Sequence, residues 1–466
     1  MTVCDSACQA PSHRLLGHEV LERPALDQRA LDRQRHPGGT GLPGDLGTPG
    51  GLGQPGASGR PGGLRVALVS LHTSPLARAG VGDAGGMNVY LRAVGAAMAR
   101  AGHRVDIYTR ATSAQELARG SQAAEGVEVH FLKAGPVGPV GKEALSMRAD
   151  EFAEALVRHS RPDVVHSHYW LSGLAGQVAA GAWGVPHVQS LHTVATMKNR
   201  TLAAGDAPES REREDGEREL ARRAARVVAV SAAERDAIVR DYGVEPERVA
   251  IIHPGVDGTV FRPGAGPDPA SLPSGLRRPA GYLMMIGRVQ PIKGQDLAIQ
   301  ALALLPARLR PALVITGAPG SGHLEYAAQL KTLAADLGVL GDVVFMGTQE
   351  PDRLAALIRG ARATLMPSRS ETFGLVAVES AACGTPVIGS DTSGLRSSVV
   401  DSVTGLLVGS RGPADWAAAI RRVLEEPGLA RRLAAGGIEL GRQRTWDHVG
   451  AALIATYGAV LADHAR

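Results

Sequence analysis

The sequence predicts an α/β protein with two doubly wound domains, each a parallel sheet covered by helices on both faces. Three observations support this. Short apolar runs alternate with amphipathic stretches from residue 64, a Pro/Gly-rich break interrupts them at residues 264–279, and the alternation then restarts. Alternation of this kind is typical of parallel sheets buried on both sides. We therefore expect a first domain at residues 64–262, a second at residues 280–435, and a crevice between them where ligands bind.

The strands follow from apolar runs bounded by turn residues. In the first domain they are predicted at residues 64–72, 103–109, 127–133, 163–168, 186–193 and 226–231. In the second domain they are predicted at residues 282–288, 312–317, 343–347, 363–368 and 386–390. Helical periodicity lies between most of these runs. Residues 436–466 are predicted to be helical, and the last helix is expected to pack back on the first domain.

The first 63 residues differ in composition and are predicted to be a disordered tail. Residues 37–63 contain 17 Gly or Pro among 27, and every third residue from Gly38 to Gly62 is Gly. This phasing is collagen-like, but so short a repeat favours a flexible linker. The tail also holds Cys4, Cys8, His13 and His18. Only four residues separate the Cys and His pairs, too few for a zinc finger.

Composition excludes several classes of protein. The chain has 50 Lys and Arg against 46 Asp and Glu, spread rather than in blocks, so nucleic acid is not an expected partner. No apolar run approaches about 18 residues, and the first residues lack the apolar segment of a secretory signal, so no stable membrane association is expected. Three cysteines fit a reducing compartment rather than a disulfide framework. These features predict a cytoplasmic protein.

A glycine-rich loop from Gly80 to Gly85 matches the G-x-G-x-x-G pattern of dinucleotide-binding proteins. In those proteins the pattern follows its strand directly, whereas eight residues intervene here. The second strand also ends at Arg110 without the expected acidic residue. A nicotinamide-dependent enzyme is therefore a minor alternative. Gly85 and Gly86 still precede a helix from Met87, whose N-terminal amides can bind an anion.

Charged residues follow two strands of the second domain. Arg288 and Lys293 come directly after a buried strand, and a guanidinium and an ammonium at that spacing suit a diphosphate. The alternative is that they are two solvated loop charges. Glu379 lies in an apolar helix, where a carboxylate is costly without partners, and a ribose diol or an arginine would supply one. Glu371, eight residues earlier, would suit a sugar hydroxyl.

These motifs resemble those of the retaining glycosyltransferase family 4 over residues 64–463. The resemblance in the second domain is carried by Gly287-Arg288, Lys293-Gly294, Met366-Pro367-Ser368, Glu371 with Glu379, Gly384 to Val387, and Thr404 to Val408. In the first domain, His72 to Leu76, Gly82 to Tyr90 and His166 to Gly173 resemble one branch of the family. That branch transfers N-acetylglucosamine from UDP-N-acetylglucosamine to 1D-myo-inositol 3-phosphate, an early step of mycothiol biosynthesis. The resemblance implies a hexosyltransferase of the GT-B fold, with two Rossmann-like domains facing a central crevice.

The resemblance also implies roles for individual residues. Arg288 and Lys293 would hold the UDP diphosphate, Glu379 the ribose, and Glu371 the N-acetylglucosamine hydroxyls. With His192, near the sugar, the residues Arg288, Lys293 and Glu371 form the implied catalytic set. Further implied donor residues are Arg78, Ala79, Gly86 and Gln349. The implied acceptor residues are His72, Asp83, Ala84, Gly85, Gly86, Met87, Asn88, Lys133, Tyr169, Thr193 and Arg213.

The sequence departs from the family pattern at two places. Arg78-Ala79-Gly80 stands where the family has Gln-Pro-Gly, which affects the donor contact at residues 78 and 79. Ser393-Gly394-Leu395-Arg396 stands where Gly-Gly-Leu-Pro is common, which alters one backbone approach near the sugar.

No cofactor is expected to be required for the chemistry, because the sequence has no Asp-x-Asp pair to hold a metal at the diphosphate. The resemblance implies a peripheral Mg²⁺ near the backbone of Ile358, Arg359, Ala361 and Thr385, and a homodimer. Two other functions stay open. One is a family-4 enzyme with another acceptor, such as a lipid, although residues 198–226 mix eight basic with seven acidic side chains. The other is a non-catalytic sensor of sugar nucleotides.

Overall fold

The computed structural model describes residues 63–77, 85–202, 207–320, 322–392 and 394–466. The predicted tail up to residue 62 lies outside the described residues. So do the predicted site residues Arg78, Ala79, Asp83 and Ala84, and Ser393 of the second departure from the family pattern. None of the described helices is long and apolar enough to cross a membrane.

The first domain is built on an eight-stranded sheet in the order β3-β4-β2-β1-β5-β6-β7-β8. All neighbouring strands are parallel except β3, which runs antiparallel to β4. The strands are β1 Arg65–Ser70, β2 Arg104–Arg110, β3 Ser121–Ala124, β4 Val127–Leu132, β5 Val164–His168, β6 His187–Ser190, β7 Arg226–Ala229 and β8 Val249–Ile251. The helices are α1 Gly86–Arg100, α2 Ala114–Arg119, α3 Lys142–Leu145, α4 Ala149–Leu156, α5 Trp170–Trp183, α6 Ala195–Asn199, α7 Arg211–Arg223 and α8 Ala232–Tyr242.

The second domain is built on a six-stranded, all-parallel sheet in the order β11-β10-β9-β12-β13-β14. Its strands are β9 Tyr282–Ile286, β10 Ala312–Thr316, β11 Val343–Gly347, β12 Ala363–Met366, β13 Val387–Ser390 and β14 Gly405–Val408. The remaining helices are α9 Gln295–Ala303, α10 Leu324–Asp336, α11 Pro351–Gly360, α12 Leu375–Ala382, α13 Pro413–Glu425, α14 Pro427–Gln443 and α15 Trp446–His464. The two doubly wound sheets confirm the predicted fold class.

All eleven predicted strands are present, and β3, β8 and β14 were missed. Each of the missed strands has only three or four residues and lies at the edge of its sheet. Unlike the equally short central strands β6, β12 and β13, which are buried throughout, these edge strands are partly exposed and lack a continuous buried apolar run. Their absence from the prediction therefore has a local cause and does not affect the topology of the central strands.

Each sheet has a switch point where the strand order reverses. In the first sheet β1 lies between β2 and β5, and in the second β9 lies between β10 and β12. The connections on either side of such a point leave in opposite directions, which opens a crevice at the carboxyl ends of the strands. The loops after β1, β5, β6, β9 and β12 carry most of the predicted site residues.

Helix α15 follows the second domain in sequence but packs against the first. Trp446, Leu453 and Tyr457 of α15 lie in the same buried cluster as Val66 of β1 and Tyr90 of α1. The Tyr457 hydroxyl is 2.6 Å from Nδ1 of His166, in the centre of the first sheet. The end of the chain thus completes the core of the first domain.

Candidate active site

Two residues with left-handed backbone mark the carboxyl edge of the first sheet. Tyr169 follows β5 with φ 74°, and His192 follows β6 with φ 61°. Side chains other than glycine rarely adopt this region, and such strain persists where the surrounding contacts hold it, often at functional sites. Both residues belong to the predicted site, so the backbone geometry is an independent sign that this edge is functional.

Four predicted acceptor residues contact one another at this edge, and we call His72, Tyr169, Thr193 and Arg213 the acceptor cluster. The guanidinium carbon of Arg213 lies 4.9 Å from the centre of the Tyr169 ring. The Arg213 guanidinium donates to the Thr193 hydroxyl at 2.8 Å and to its carbonyl at 3.0 Å. The His72 ring lies 4.4 Å from the Tyr169 ring. The cluster combines a cation with hydroxyl and imidazole groups, a set that suits a phosphate.

Two carboxylates that the sequence analysis missed hold Arg213 in place. Arg213 is 5% exposed and pairs with Glu217 at 2.6 Å and with Glu209 at 2.8 Å. Glu217 is fully buried and also accepts hydrogen bonds from the Tyr242 hydroxyl and the Ala195 N–H. Burial opposes the charge of Arg213, but Glu217, Tyr169 and Glu209 together outweigh it and raise the pKa of Arg213. The helical i, i+4 spacing of the three residues was the available signal.

The loop before α1 is organised by Asn88. Its amide donates to the Thr73 hydroxyl at 2.8 Å and to the Ser74 carbonyl at 2.6 Å, and its oxygen accepts from the Gly85 N–H at 2.8 Å. Asn88 is buried, so its side chain ties the end of β1 to the start of α1. No described residue accepts from the N–H groups of Gly86 and Met87 in the first helical turn, where an anion can bind.

The N-termini of α1 and α12 approach each other across the crevice. A Cβ placed on Gly86 would lie 3.1 Å from Cδ1 of Leu375, the first residue of α12. Each helix N-terminus carries a partial positive charge. The convergence of two such ends suits a ligand with adjacent negative charges, such as a diphosphate.

Lys133 stands apart from the acceptor cluster. It follows β4 and is exposed, and its ammonium has no hydrogen bond or ion pair with any residue the structure describes. β4 lies two strands from β1 along the same edge. The structure therefore places Lys133 on the expected side of the sheet but does not join it to Arg213.

At the switch point of the second sheet, Lys293 and Glu371 form an ion pair with Nζ and Oε2 2.7 Å apart. The Ser368 hydroxyl donates to the same carboxylate oxygen at 3.3 Å. Gly394 packs against the loop that carries Glu371, since a Cβ there would overlap the Glu371 carbonyl oxygen. The sequence analysis predicted both charged residues but missed their pairing and the two residues that support it.

Arg288 and Glu379 lack protein partners in the described part of the chain. The Arg288 guanidinium is half-buried and makes neither a hydrogen bond nor an ion pair there. Glu379 has no arginine beside it, and burial raises the pKa of its carboxyl to about 7. Glu379 is half-buried, and a carboxyl with a perturbed pKa and no structural partner among the described residues is a functional-site candidate. The arginine partner considered for Glu379 in the sequence analysis is not found among the described residues.

Gln349 lies away from the switch point, in the loop after the edge strand β11. Its amide donates to the Met346 carbonyl at 2.6 Å, and its oxygen accepts from Arg353 at 3.0 Å. Both contacts are local, one to β11 and one to α11, so the structure does not join Gln349 to Arg288 or Lys293.

The residues proposed for a peripheral magnesium are close together but already engaged. The Ile358 carbonyl accepts from the Thr385 hydroxyl at 2.6 Å and from the Ala361 N–H at 3.0 Å. The Arg359 guanidinium donates to the Ala265 carbonyl at 2.8 Å. Magnesium prefers octahedral oxygen ligands that include carboxylates. These residues supply no carboxylate, and a magnesium at their backbone oxygens stays a prediction; among the described residues no three His, Cys, Asp or Glu side chains cluster as metal ligands.

His192 is held by a second histidine. Nδ1 of His168, the last residue of β5, lies 2.9 Å from Nε2 of His192. Burial lowers the pKa of His192 to about 4, so its imidazole is neutral near pH 7. The sequence analysis identified His192 but assigned no role to His168.

The two doubly wound sheets, with an ion pair at the switch point of the second, have the architecture of a glycosyltransferase of the GT-B fold. The chain belongs to glycosyltransferase family 4, since residues 76–453 match the model described as family 4 glycosyltransferase in conflict systems. This confirms the family that the sequence motifs predicted.

Several curated relatives share a name. The chain is 40% identical over 410 residues to the D-inositol 3-phosphate glycosyltransferase of Acidothermus cellulolyticus, covering 86% of this chain and 91% of that protein. It is 43% identical over 406 residues to the protein of the same name from Actinosynnema mirum, covering 84% and 97%.

Two solved structures show the same fold. Sucrose-phosphate synthase from Thermosynechococcus elongatus matches with a TM-score of 0.77 and 28% identity, over 85% of this chain and 99% of that one. HepE from Anabaena, in complex with UDP and glucose, matches with a TM-score of 0.68 over 85% of this chain and all of that one. The latter is only 19% identical and supports the fold alone.

Proposed function

We propose that this chain is a retaining glycosyltransferase that moves N-acetylglucosamine from UDP-N-acetylglucosamine to 1D-myo-inositol 3-phosphate. The acceptor cluster is the observation that carries the proposal. A guanidinium fixed by two carboxylates, next to the Tyr169 ring and the Thr193 hydroxyl, suits a phosphate monoester at the edge of the first sheet. The shared name of relatives about 40% identical to the chain supports the same acceptor.

The charge of the acceptor cluster is already balanced within the protein. Glu217 and Glu209 face Arg213, and Lys198 pairs with Glu209. Because all three guanidinium nitrogens of Arg213 are already engaged by Glu217, Glu209 and Thr193, additional positive charge for the phosphate would come from Lys133. The proposal requires the exposed Lys133 ammonium to reach the phosphate from the loop after β4.

On the donor side, Arg288, Lys293 and the N-terminal amides of α1 and α12 would hold the diphosphate. Negative charge grows on the leaving diphosphate as the glycosidic bond breaks, so fixed cations stabilise the transition state more than the ground state. Glu371 would accept hydrogen bonds from sugar hydroxyls, with Lys293 holding its carboxylate. Glu379 would accept from the ribose diol.

The proposed chemistry requires no cofactor, because side-chain cations and helix ends supply the charge that a metal would otherwise provide. Retention of the anomeric configuration is proposed from the family resemblance. The homodimer and the cytoplasmic location stay predictions.

The test is an incubation of the full chain with UDP-N-acetylglucosamine and a set of acceptors: inositol, its 3-phosphate, and other inositol phosphates. UDP release and the mass of the product are followed. We expect turnover to be fastest with the 3-phosphate. Equal turnover with unphosphorylated inositol would contradict the proposed identity of the acceptor. It would not affect the family membership. Turnover with another UDP-sugar in place of UDP-N-acetylglucosamine would contradict the donor.

A further inference from the structure

We propose that His168 is a positioning residue that keeps the proton of His192 on Nδ1, so that His192 presents a neutral N–H donor to the substrate. The inference rests on the proposed function in one respect, that His192 lies beside the transferred sugar. Everything else follows from the contacts between the two rings. His168 ends β5 and is fully buried, whereas His192 begins the loop after β6 and is partly exposed.

Each of the two rings carries a single ring proton near neutral pH. Burial lowers the pKa of His168 well below its usual range and that of His192 to about 4, so neither imidazole is charged. Nδ1 of His168 and Nε2 of His192 are 2.9 Å apart, a hydrogen-bond distance. One of these nitrogens must therefore donate and the other accept.

The surroundings of His168 decide the direction of the bond. Its Nε2 is buried and has no partner in the described part of the molecule. A proton on Nε2 would leave an N–H donor buried without an acceptor, which folded proteins rarely tolerate. The proton therefore lies on Nδ1, and His168 donates to Nε2 of His192. His192 must then carry its own proton on Nδ1, for which no described residue is a hydrogen-bond partner.

The rings around this pair prevent it from reorienting. Tyr90 contacts His192 edge-on with ring centres 5.0 Å apart, and His166 packs on His168 at 4.2 Å. His166 is itself fixed by the Tyr457 hydroxyl at 2.6 Å and the Ser190 hydroxyl at 2.9 Å. His192 also has a positive φ of 61°, a conformation that persists only where the surrounding structure holds it. Because the His192 ring is fixed, its Nδ1–H donor has one position. A donor at a fixed position can orient a sugar oxygen.

The first experiment measures the position of the proton directly. Full-length protein labelled with ¹⁵N in its histidine rings is compared with the His192→Gln variant, which identifies the His192 signals. We expect Nδ1 of His192 to show the shift of a protonated ring nitrogen and Nε2 that of a bare one, without any substrate present. A protonated Nε2 would overturn the proposal. Because this measurement needs no turnover, its outcome does not depend on whether the proposed acceptor is correct.

The second experiment compares two substitutions of His168. In His168→Asn the side-chain amide can replace the Nδ1 donor, whereas His168→Phe fills the space without any hydrogen bond. Misplacing a reacting group can cost about 100-fold in rate. We expect His168→Phe to lower kcat about 10- to 100-fold with both KM values nearly unchanged, and His168→Asn to recover most of the loss. Wild-type kcat in His168→Phe, or no recovery in a folded His168→Asn, would overturn the proposal.

The matched control is His187, another buried histidine of the same sheet. It begins β6, and its Nε2 lies 2.9 Å from the Ser167 hydroxyl, so it has no contact with His192. His187→Phe should change the melting temperature while leaving kcat unchanged. Hydrolysis of UDP-N-acetylglucosamine by water provides a rate for these variants that does not depend on the identity of the acceptor.

Discussion

Lys293 and Glu371 lie 78 residues apart in sequence, and their side chains meet at 2.7 Å across the switch point of the second sheet. Lys293 follows β9 and Glu371 follows β12, and these two strands are neighbours where the strand order reverses. The pair keeps an ammonium and a carboxylate at fixed positions before a donor binds. A diphosphate can then bind to the Lys293 ammonium without any rearrangement of the loops. This is the advantage of a preorganised site.

Arg288→Ala and Lys293→Ala should each lower kcat severely. Loss of one group that stabilises developing negative charge typically costs about 100- to 1000-fold in rate. Steady-state UDP release measures the effect. Arg308→Ala is the control, since Arg308 is an exposed cation of the same domain with no role in the site. Near-normal turnover in both Arg288 and Lys293 variants would place the diphosphate elsewhere.

Lys133→Ala should weaken acceptor binding without affecting the donor. A hydrogen bond to a charged group contributes about 1.5–3 kcal/mol, so the KM of inositol 3-phosphate should rise about 10- to 100-fold. The KM of the donor should barely change, because the diphosphate belongs to the second domain. Arg158→Ala, which removes an exposed cation of the same domain, is the control. With unphosphorylated inositol as the acceptor, Lys133→Ala should cause no further loss of activity. Comparing the two proteins with the two acceptors is therefore a double-mutant cycle in which the substrate phosphate is one partner.

Arg213→Ala should affect both acceptor binding and stability. It leaves the buried Glu217 carboxylate without its cation, and breaking a buried pair in this way typically costs about 3–5 kcal/mol. We therefore expect a lower melting temperature together with a raised acceptor KM. Arg213→Lys keeps the positive charge but loses the bidentate hydrogen bonds of a guanidinium. It should therefore restore the melting temperature more than the acceptor affinity. An unchanged acceptor KM in a folded Arg213→Lys protein would argue against the acceptor cluster.

Donor affinity should fall with decreasing pH through the ionisation of Glu379. Burial raises the pKa of Glu379 to about 7, and a ribose diol donates hydrogen bonds best to the ionised carboxylate. For a pKa near 7, the ionised fraction falls about tenfold from pH 8 to pH 6, and the affinity should fall by a similar factor. Calorimetry with UDP-N-acetylglucosamine measures this. Glu379→Gln should bind the donor weakly and with no such pH dependence.

Stability should decrease on acidification below pH 6.5. Burial lowers the pKa of His187 to about 3 and that of His253 to about 4, whereas an unfolded histidine titrates near pH 6.5. Between these values the unfolded chain binds protons that the folded protein does not, so stability is present above pH 6.5 and is lost as the pH falls towards 4. Melting temperatures across this range measure the slope. His187→Gln should flatten it, while His448→Gln, at an exposed site, should not.

Local patterns account for the parts of the site that were predicted. Arg288 and Lys293 follow an apolar run that ends at a glycine, and Tyr169 and His192 follow two others, so strand ends could be located from the sequence. Parallel strands bring such ends to one edge, and the structure confirms their arrangement in two doubly wound sheets. Pairings between loops carry no local pattern. The contacts of Lys293 and Gly394 with the Glu371 loop were therefore beyond prediction.

The sequence by itself determined the α/β class, the order of the central strands along the chain, the family, and the charged residues available for catalysis. These are properties of short segments, because apolar periodicity and motif spacing act over a few residues. The tertiary structure alone decided that Lys293 meets Glu371, that His168 holds His192, and that α15 completes the core around Tyr90. Each of these contacts joins segments that are distant in sequence. Their geometry depends on how strands and helices pack together, which no single segment contains.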